Sequence, residues 1–277
     1  MLRQGNAARQ IASRHHPLIK RIRAMVRSGH LLHENEILLE TPNLIEDAIR
    51  SGVTVTTVLT RAEASPGVRE LMKTIPASTN SYEIEPKLFP ELSSTETNPG
   101  IVALAKAPAW HEQDLFAENE SFIVVIAGIQ DPGNLGTILR AAEAFGASGV
   151  LATKGTVSPY NAKAIRAAAG TLFRLPMLLN LSARQILSLL RREKVSLLAS
   201  VARGGKSLAE IDLARPVALA VGSEGAGLPR ELEEAGWRVS IPMTRHIESL
   251  NVATAASILL YEIARQRQAA SDRRKDD

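Results

Sequence analysis

Apolar positions along this 277-residue chain fall into two periods, and the places where one gives way to the other mark its elements. Residues 17–28, "PLIKRIRAMVRS", set Leu18, Ile19, Ile22, Met25 and Val26 at helical spacing between Pro17 and Gly29, which predicts a short amphipathic helix. Strand-like runs then alternate with short helical ones: "EILLE", "VTVTTVL", "SYEI" and "GIVALA" against "NLIEDAIRS", "GVRELMKT" and "PKLFPEL". That alternation predicts a compact α/β module ending near Ala105. Residues 106–120, "KAPAWHEQDLFAENE", keep neither period and read as a linker.

From Ser121 the elements lengthen. The predicted strands are "FIVVIAG", "GVLAT", "VSLLASV", "PVALAVG" and "RVSIPM". The predicted helices are "LGTILRAAEAFG", "AKAIRAAAG", "ARQILSLLRREK" and "NVATAASILLYEIARQR". Near-continuous apolar strands separated by helices predict a mostly parallel sheet covered on both faces. The expected organisation is therefore residues 1–105, a linker over 106–120, and a second α/β domain over 121–277 whose charged end, "SDRRKDD", is solvated. In such sheets ligands lie beyond the carboxyl ends of the strands, so those loops hold the chemistry.

Composition narrows the choice. The chain has no Cys, which excludes disulfides, thiolate nucleophiles and cysteine-held metals, and fits a reducing, cytoplasmic setting. No apolar run reaches the roughly 18 residues of a membrane span, so a soluble protein away from membranes is expected. The net charge of +4 is unevenly spread: residues 1–33 hold Arg3, Arg9, Arg14, Lys20, Arg21, Arg23 and Arg27 and no acid. A basic arm suits a polyanion such as RNA; a frayed terminus and a transit peptide are the other readings of the same residues. With aromatics at 4%, any RNA contact rests on Arg, Lys and backbone groups rather than stacking platforms.

Three loops stand out. In "IQDPGNLGTILRAAEAFG", Asp131-Pro132-Gly133-Asn134 is a strong turn signal, and the helix that follows carries Arg140. Taken alone, Asn134 suits a helix cap and Arg140 a surface ion pair with Glu143. "VGSEGAGLP" places three glycines in six residues around Glu224, in an order that is neither a phosphate-gripping Walker loop nor a dinucleotide fingerprint. In "IPMTRHIESLNVATAASILLYE", Glu248, Ser249 and Asn251 crowd round Leu250 at a helix start, where capping alone is one explanation. No pair of the six His has metal-ligand spacing except His15-His16 in the arm, and His246 reads as structural; no metal is expected.

Taken in order, "NLGTILRAAEAFG", "VGSEGAGL" and "IPM…SLNVATAASILLYE" closely resemble the three motifs of the SpoU (TrmH-like) methyltransferases of the SPOUT superfamily. The first domain resembles, more weakly, that family's ribosomal-protein-like substrate-binding extension. Two departures are visible: Glu40-Thr41 stands where the family has Glu-Gly, and "RAAAGT" has Ala168 near a position often occupied by Ser. The resemblance implies a deep trefoil knot, an S-adenosylmethionine site, a homodimer, and methyl transfer to a ribose 2′-hydroxyl of structured RNA. Ribosomal RNA is the first expectation and transfer RNA the second.

The same resemblance implies roles. Arg140, which stays protonated, would bind a phosphate and polarise the hydroxyl. Asn134 would orient Arg140 or the ribose, Glu224 would fix the glycine loop or Arg140, and Ser249 and Asn251 would shape the wall. Gly222, Ile241 and Leu250, with Val201 and Gly227, would surround the cofactor. Two other classes compete: a dinucleotide-dependent small-molecule enzyme, disfavoured by the missing glycine fingerprint, and a catalytically silent RNA-binding or assembly factor.

Overall fold

The computed structural model describes residues 9–28, 35–95, 97–117, 121–244 and 248–276. The chain divides into two compact units, one of Met1–Pro108 with Tyr160–Arg174, the other of Ala109–Pro159 with Leu175–Asp277. The segment 160–174, which the sequence pattern groups with the second domain, thus belongs with the first.

The first unit opens with β1 (Arg9–Ile11), α1 (Pro17–Ser28), β2 (Glu36–Leu39), α2 (Pro42–Arg50), β3 (Val55–Arg61), α3 (Pro66–Thr74), β4 (Asn80–Ile84) and β5 (Ile101–Lys106). Its five-stranded sheet runs β1-β4-β3-β5-β2, with β4 parallel to both neighbours and β5 antiparallel to β3 and β2. Helix α1 turns Ile19, Ile22 and Met25 inward, where they pack with Ile11, Leu59 and Phe89. "PKLFPEL" forms a tight 3₁₀ turn rather than an α-helix, because Pro90 lies inside it. Thr41 caps α2 by accepting from the Leu44 N–H at 3.3 Å. Glu40 beside it is buried, and its carboxylate accepts from the Ser94 N–H (2.7 Å), the Ser94 hydroxyl (2.8 Å) and Arg166 Nη1 (2.5 Å). The Glu-Thr departure is therefore accommodated: Thr41 supplies the cap and Glu40 an interior anchor.

The linker expected over 106–120 is partly structured. His111 and Asp114 form a reciprocal cap on α4 (Glu112–Leu115), and Leu115 is fully buried in the core of the second unit. Gly149 makes room for it, since a β-carbon there would sit 2.4 Å from Leu115 Cγ. The chain continues through β6 (Phe122–Ala127), α5 (Pro132–Ala144), β7 (Gly149–Thr153) and α6 (Ala162–Ala168), the last inside the 160–174 segment. Ala168 is buried there, and the turn after it uses left-handed backbone at Ala169 and Gly170. There follow β8 (Met177–Leu181), α7 (Ala183–Arg192), β9 (Ser196–Ser200), β10 (Val217–Gly222), α8 (Arg230–Ala235), β11 (Trp237–Val239) and α9 (Val252–Asp276).

The second sheet runs β11-β9-β10-β6-β7-β8, and each pairing within it is parallel. Ile123, Val125, Leu151, Ala218 and Ala220 lie buried together, as continuous apolar strands in a sheet covered by helices require. The strand expected over "RVSIPM" stops at Val239; Ile241–Thr244 are loop. Among the described residues no helix is long and apolar enough to cross a membrane.

Candidate functional site

Three loops of the second unit, after β6, after β10 and before α9, are joined by a ring of side-chain hydrogen bonds. Asp131 caps α5 by accepting from the Asn134 N–H at 2.8 Å. The cap is thus Asp131 and not Asn134, whose side chain is left for other work. Asn134 Nδ2 donates to Glu224 Oε1 at 3.0 Å. Asn251 Nδ2 donates both to that oxygen, at 3.0 Å, and to Asn134 Oδ1, at 3.1 Å. The other end of the same Asn251 side chain accepts from the Ala253 and Thr254 N–H groups at 3.0 and 3.2 Å, so it caps α9 as well. Capping and site-building are one arrangement here. The bonds to a carboxylate are charge-assisted and hold the three loops in register.

The loop after β10 is tight. Ser223 and Gly227 exchange backbone hydrogen bonds of 3.2 and 2.9 Å, and the Ser223 hydroxyl accepts from the Ala226 N–H. Gly222 is obligatory: a β-carbon would lie 2.2 Å from the Gly227 carbonyl carbon. Gly227 itself needs left-handed backbone, with φ of +66°.

Beside this ring lies a cavity of about 400 Å³, within the usual range for a small-ligand site, about 300–1,000 Å³. Val201, Gly222, Gly227, Ile241 and Leu250 all line it, as do Glu224 and Ser249. Apolar walls with bare glycine backbone between them suit a flat heteroaromatic group whose polar edge bonds to main-chain N–H and C=O groups. At another part of the wall Arg238 and Glu233 pair at 3.3 Å, a contact that the sequence pattern did not single out. These features fit S-adenosylmethionine, which has an apolar-faced base and a charged amino-acid end.

Asn134, Asn251 and Arg140 stand outside the cavity lining. Arg140 is exposed and, among the described residues, has neither a hydrogen bond nor an ion pair. The expected pairing with Glu143 is not made, and neither Asn134 nor Glu224 bonds to Arg140; both are committed to the ring. Ser249 and Glu248 are exposed. His246 lies outside the described residues. His16 is structural: its Nδ1 accepts from the Leu18 N–H at 3.2 Å.

Both parts of the chain match known protein families. Residues 121–261 match the model described as the SpoU rRNA Methylase family, and residues 8–118 that described as Thiostrepton-resistance methylase, N terminus. The chain is 34% identical to an uncharacterized tRNA/rRNA methyltransferase of Synechocystis sp., over 94% of this chain and 95% of the relative. It is 31% identical to the 23S rRNA (guanosine(2553)-2′-O)-methyltransferase RlmP of Bacillus subtilis, over 83% and 88% of the two chains. The crystal structure of the SpoU methyltransferase AviRb from Streptomyces viridochromogenes, in complex with the cofactor AdoMet, superposes with a TM-score of 0.81 at 28% identity, covering 89% of this chain and 98% of that one.

Proposed function

We propose that this chain, which belongs to the SpoU rRNA methylase family, is an S-adenosylmethionine-dependent methyltransferase that modifies a ribose 2′-hydroxyl in ribosomal RNA. The observation that carries the reading is the Asn134–Glu224–Asn251 ring, which locks three loops at one edge of a cavity shaped for the cofactor. When bound, the cofactor would supply an electrophilic methyl group on a sulfonium; the ribose hydroxyl would take the methyl and pass its proton, by way of the adjacent phosphate, to solvent.

The protein's part is placement and electrostatics. Val201, Gly222, Gly227, Ile241 and Leu250 hold the cofactor, and Ser249 shapes the opening. The ring keeps the loops from drifting, which matters because in-line transfer tolerates little misplacement. Arg140, a permanent cation with no partner of its own among the described residues, binds the phosphate beside the target ribose and stabilises the oxygen as it loses its proton. No metal takes part.

The reading brings with it a deep trefoil knot and a homodimer working in the cytoplasm. Ile258 and Tyr261 support the dimer, standing 42% and 54% exposed on α9, with Phe145 in edge contact with Tyr261 at 5.7 Å between ring centres.

The test is incubation with methyl-labelled S-adenosylmethionine and separate, unmodified ribosomal and transfer RNA fractions, followed by nucleoside analysis. Label in a 2′-O-methylnucleoside from ribosomal RNA is expected. Label only in transfer RNA would move the substrate, label on a base would overturn the ribose chemistry, and cofactor binding with no label would leave a silent factor.

A further inference from the structure

The loop after β7 is bound to the loop after β6 by contacts that the reaction has not so far used. Gly128, the first residue past β6 and left-handed at φ +68°, donates its N–H to Thr156 Oγ1 at 3.0 Å and Thr153 Oγ1 at 3.2 Å. Thr156 in turn donates to the Ile126 carbonyl at 3.3 Å. The Val157 N–H reaches the Ile129 carbonyl at 2.8 Å, and the Gln130 amide donates to the Gly155 carbonyl. Gln130 leads directly into the Asp131–Asn134 turn that opens α5. Loop and turn are therefore one braced piece.

Lys154 stands on that brace. Its backbone N–H is fixed to the Leu181 carbonyl at 2.9 Å, while its side chain is exposed and, among the described residues, has no hydrogen bond or ion pair. The sheet order gives this position a meaning. The cavity is built at the carboxyl ends of β11, β9 and β10; Asn134 follows β6, and β7 comes next. In the proposed function the nucleotide lies against Arg140 on α5, so the loop after β7, next in the strand order, is the one placed to meet the adjoining RNA backbone. Along the strand order, the first lysine or arginine in the loops beyond Asn134 is Lys154. Gly155 beside it turns through φ +82° with open space around it, leaving the approach clear.

We propose that Lys154 is a substrate-binding residue that takes a backbone phosphate of the RNA next to the methylated ribose, held in place by Thr153, Thr156 and Gln130. The proposal rests on the methyltransferase reading of the neighbouring site. Because the side chain is exposed, replacing it leaves the fold intact.

The experiment compares the full-length protein with Lys154→Ala and Lys154→Arg on unmodified ribosomal RNA, reading KM and kcat, RNA affinity across a salt series, and S-adenosylmethionine affinity. Lys154→Ala should raise KM for RNA about tenfold, as loss of a charged hydrogen bond does. The slope of log affinity against log salt should become shallower by about 0.7–0.9, the amount for one phosphate. Cofactor affinity and kcat should stay within twofold, and Lys154→Arg should restore KM. An active wild type whose Lys154→Ala variant keeps the same KM and salt slope overturns this assignment alone. A variant that loses cofactor affinity in step with KM also overturns it, since the residue would then be structural. A wild type that binds cofactor but methylates no RNA overturns the assignment together with the reading beneath it.

Discussion

Arg140 carries a full charge on the surface of α5 with nothing to neutralise it among the described residues, whereas Asn134, Glu224 and Asn251 are hydrogen-bonded to one another. Arg140→Ala should therefore lower kcat by roughly 100-fold or more while the Kd for S-adenosylmethionine stays unchanged, because electrostatic help to the transition state is lost and the cavity wall is not touched. Single-turnover kinetics with calorimetric binding separates the two. Gly222→Ala should do the opposite. A methyl group 2.2 Å from the Gly227 carbon displaces the loop, so cofactor binding fails and stability falls by about 1–3 kcal/mol, which denaturant melts will show. At this scale the sequence is informative but ambiguous. Asp131 and Asn134 are both capping residue types three positions apart, and nothing in their spacing says which one caps α5. Thr153 and Thr156 carry no signal at all, because threonine is an ordinary strand residue until its hydroxyl is seen to meet the Gly128 N–H.

The helices and strands show why the same pattern succeeds in one place and fails in another. Long apolar runs such as "FIVVIAG" and "PVALAVG" can be satisfied only by burial on both faces, and they became the central parallel strands β6 and β10. "RVSIPM" has a similar look, but it ends as a strand at Val239, where the chain turns to line the cavity with Ile241 and Met243. Helix α9 begins at a residue with two tasks, and substitutions can divide them. Asn251→Ala should cost about 1–2 kcal/mol through the lost cap and lower turnover as well. Asn251→Asp keeps an oxygen for the Ala253 and Thr254 N–H groups but has no amide to give Asn134 and Glu224. With its carboxylate set against that of Glu224 in place of the amide, it should keep the cap but lose part of the stability to like-charge repulsion, and lose turnover, with thermal melts and initial rates measured on the same preparations.

At the scale of the molecule, the exposed Ile258 and Tyr261 lead to a prediction about assembly. Tyr261→Glu places a charge on the apolar face of α9 and should convert a dimer into monomers, read as a halved mass by light scattering after size exclusion. A wild-type protein already monomeric at micromolar concentration would remove the dimer from the proposal. The change in element length at Ser121 was legible in the sequence. The return of 160–174 to the first unit was not, because "AKAIRAAAG" has the period of any amphipathic helix and its partner, Glu40, lies 126 residues away.

That return has a consequence for how such a protein can be taken apart or recombined. The chain passes from one unit to the other three times, so no single junction separates them. A fragment cut at Pro108 would leave Glu40 in the interior without the guanidinium of Arg166. The complementary fragment would carry Ile165, Leu172 and Phe173 away from the surroundings that bury them. A chimera that exchanges the first unit between relatives must therefore carry the 160–174 insert with it, spliced in at two further points.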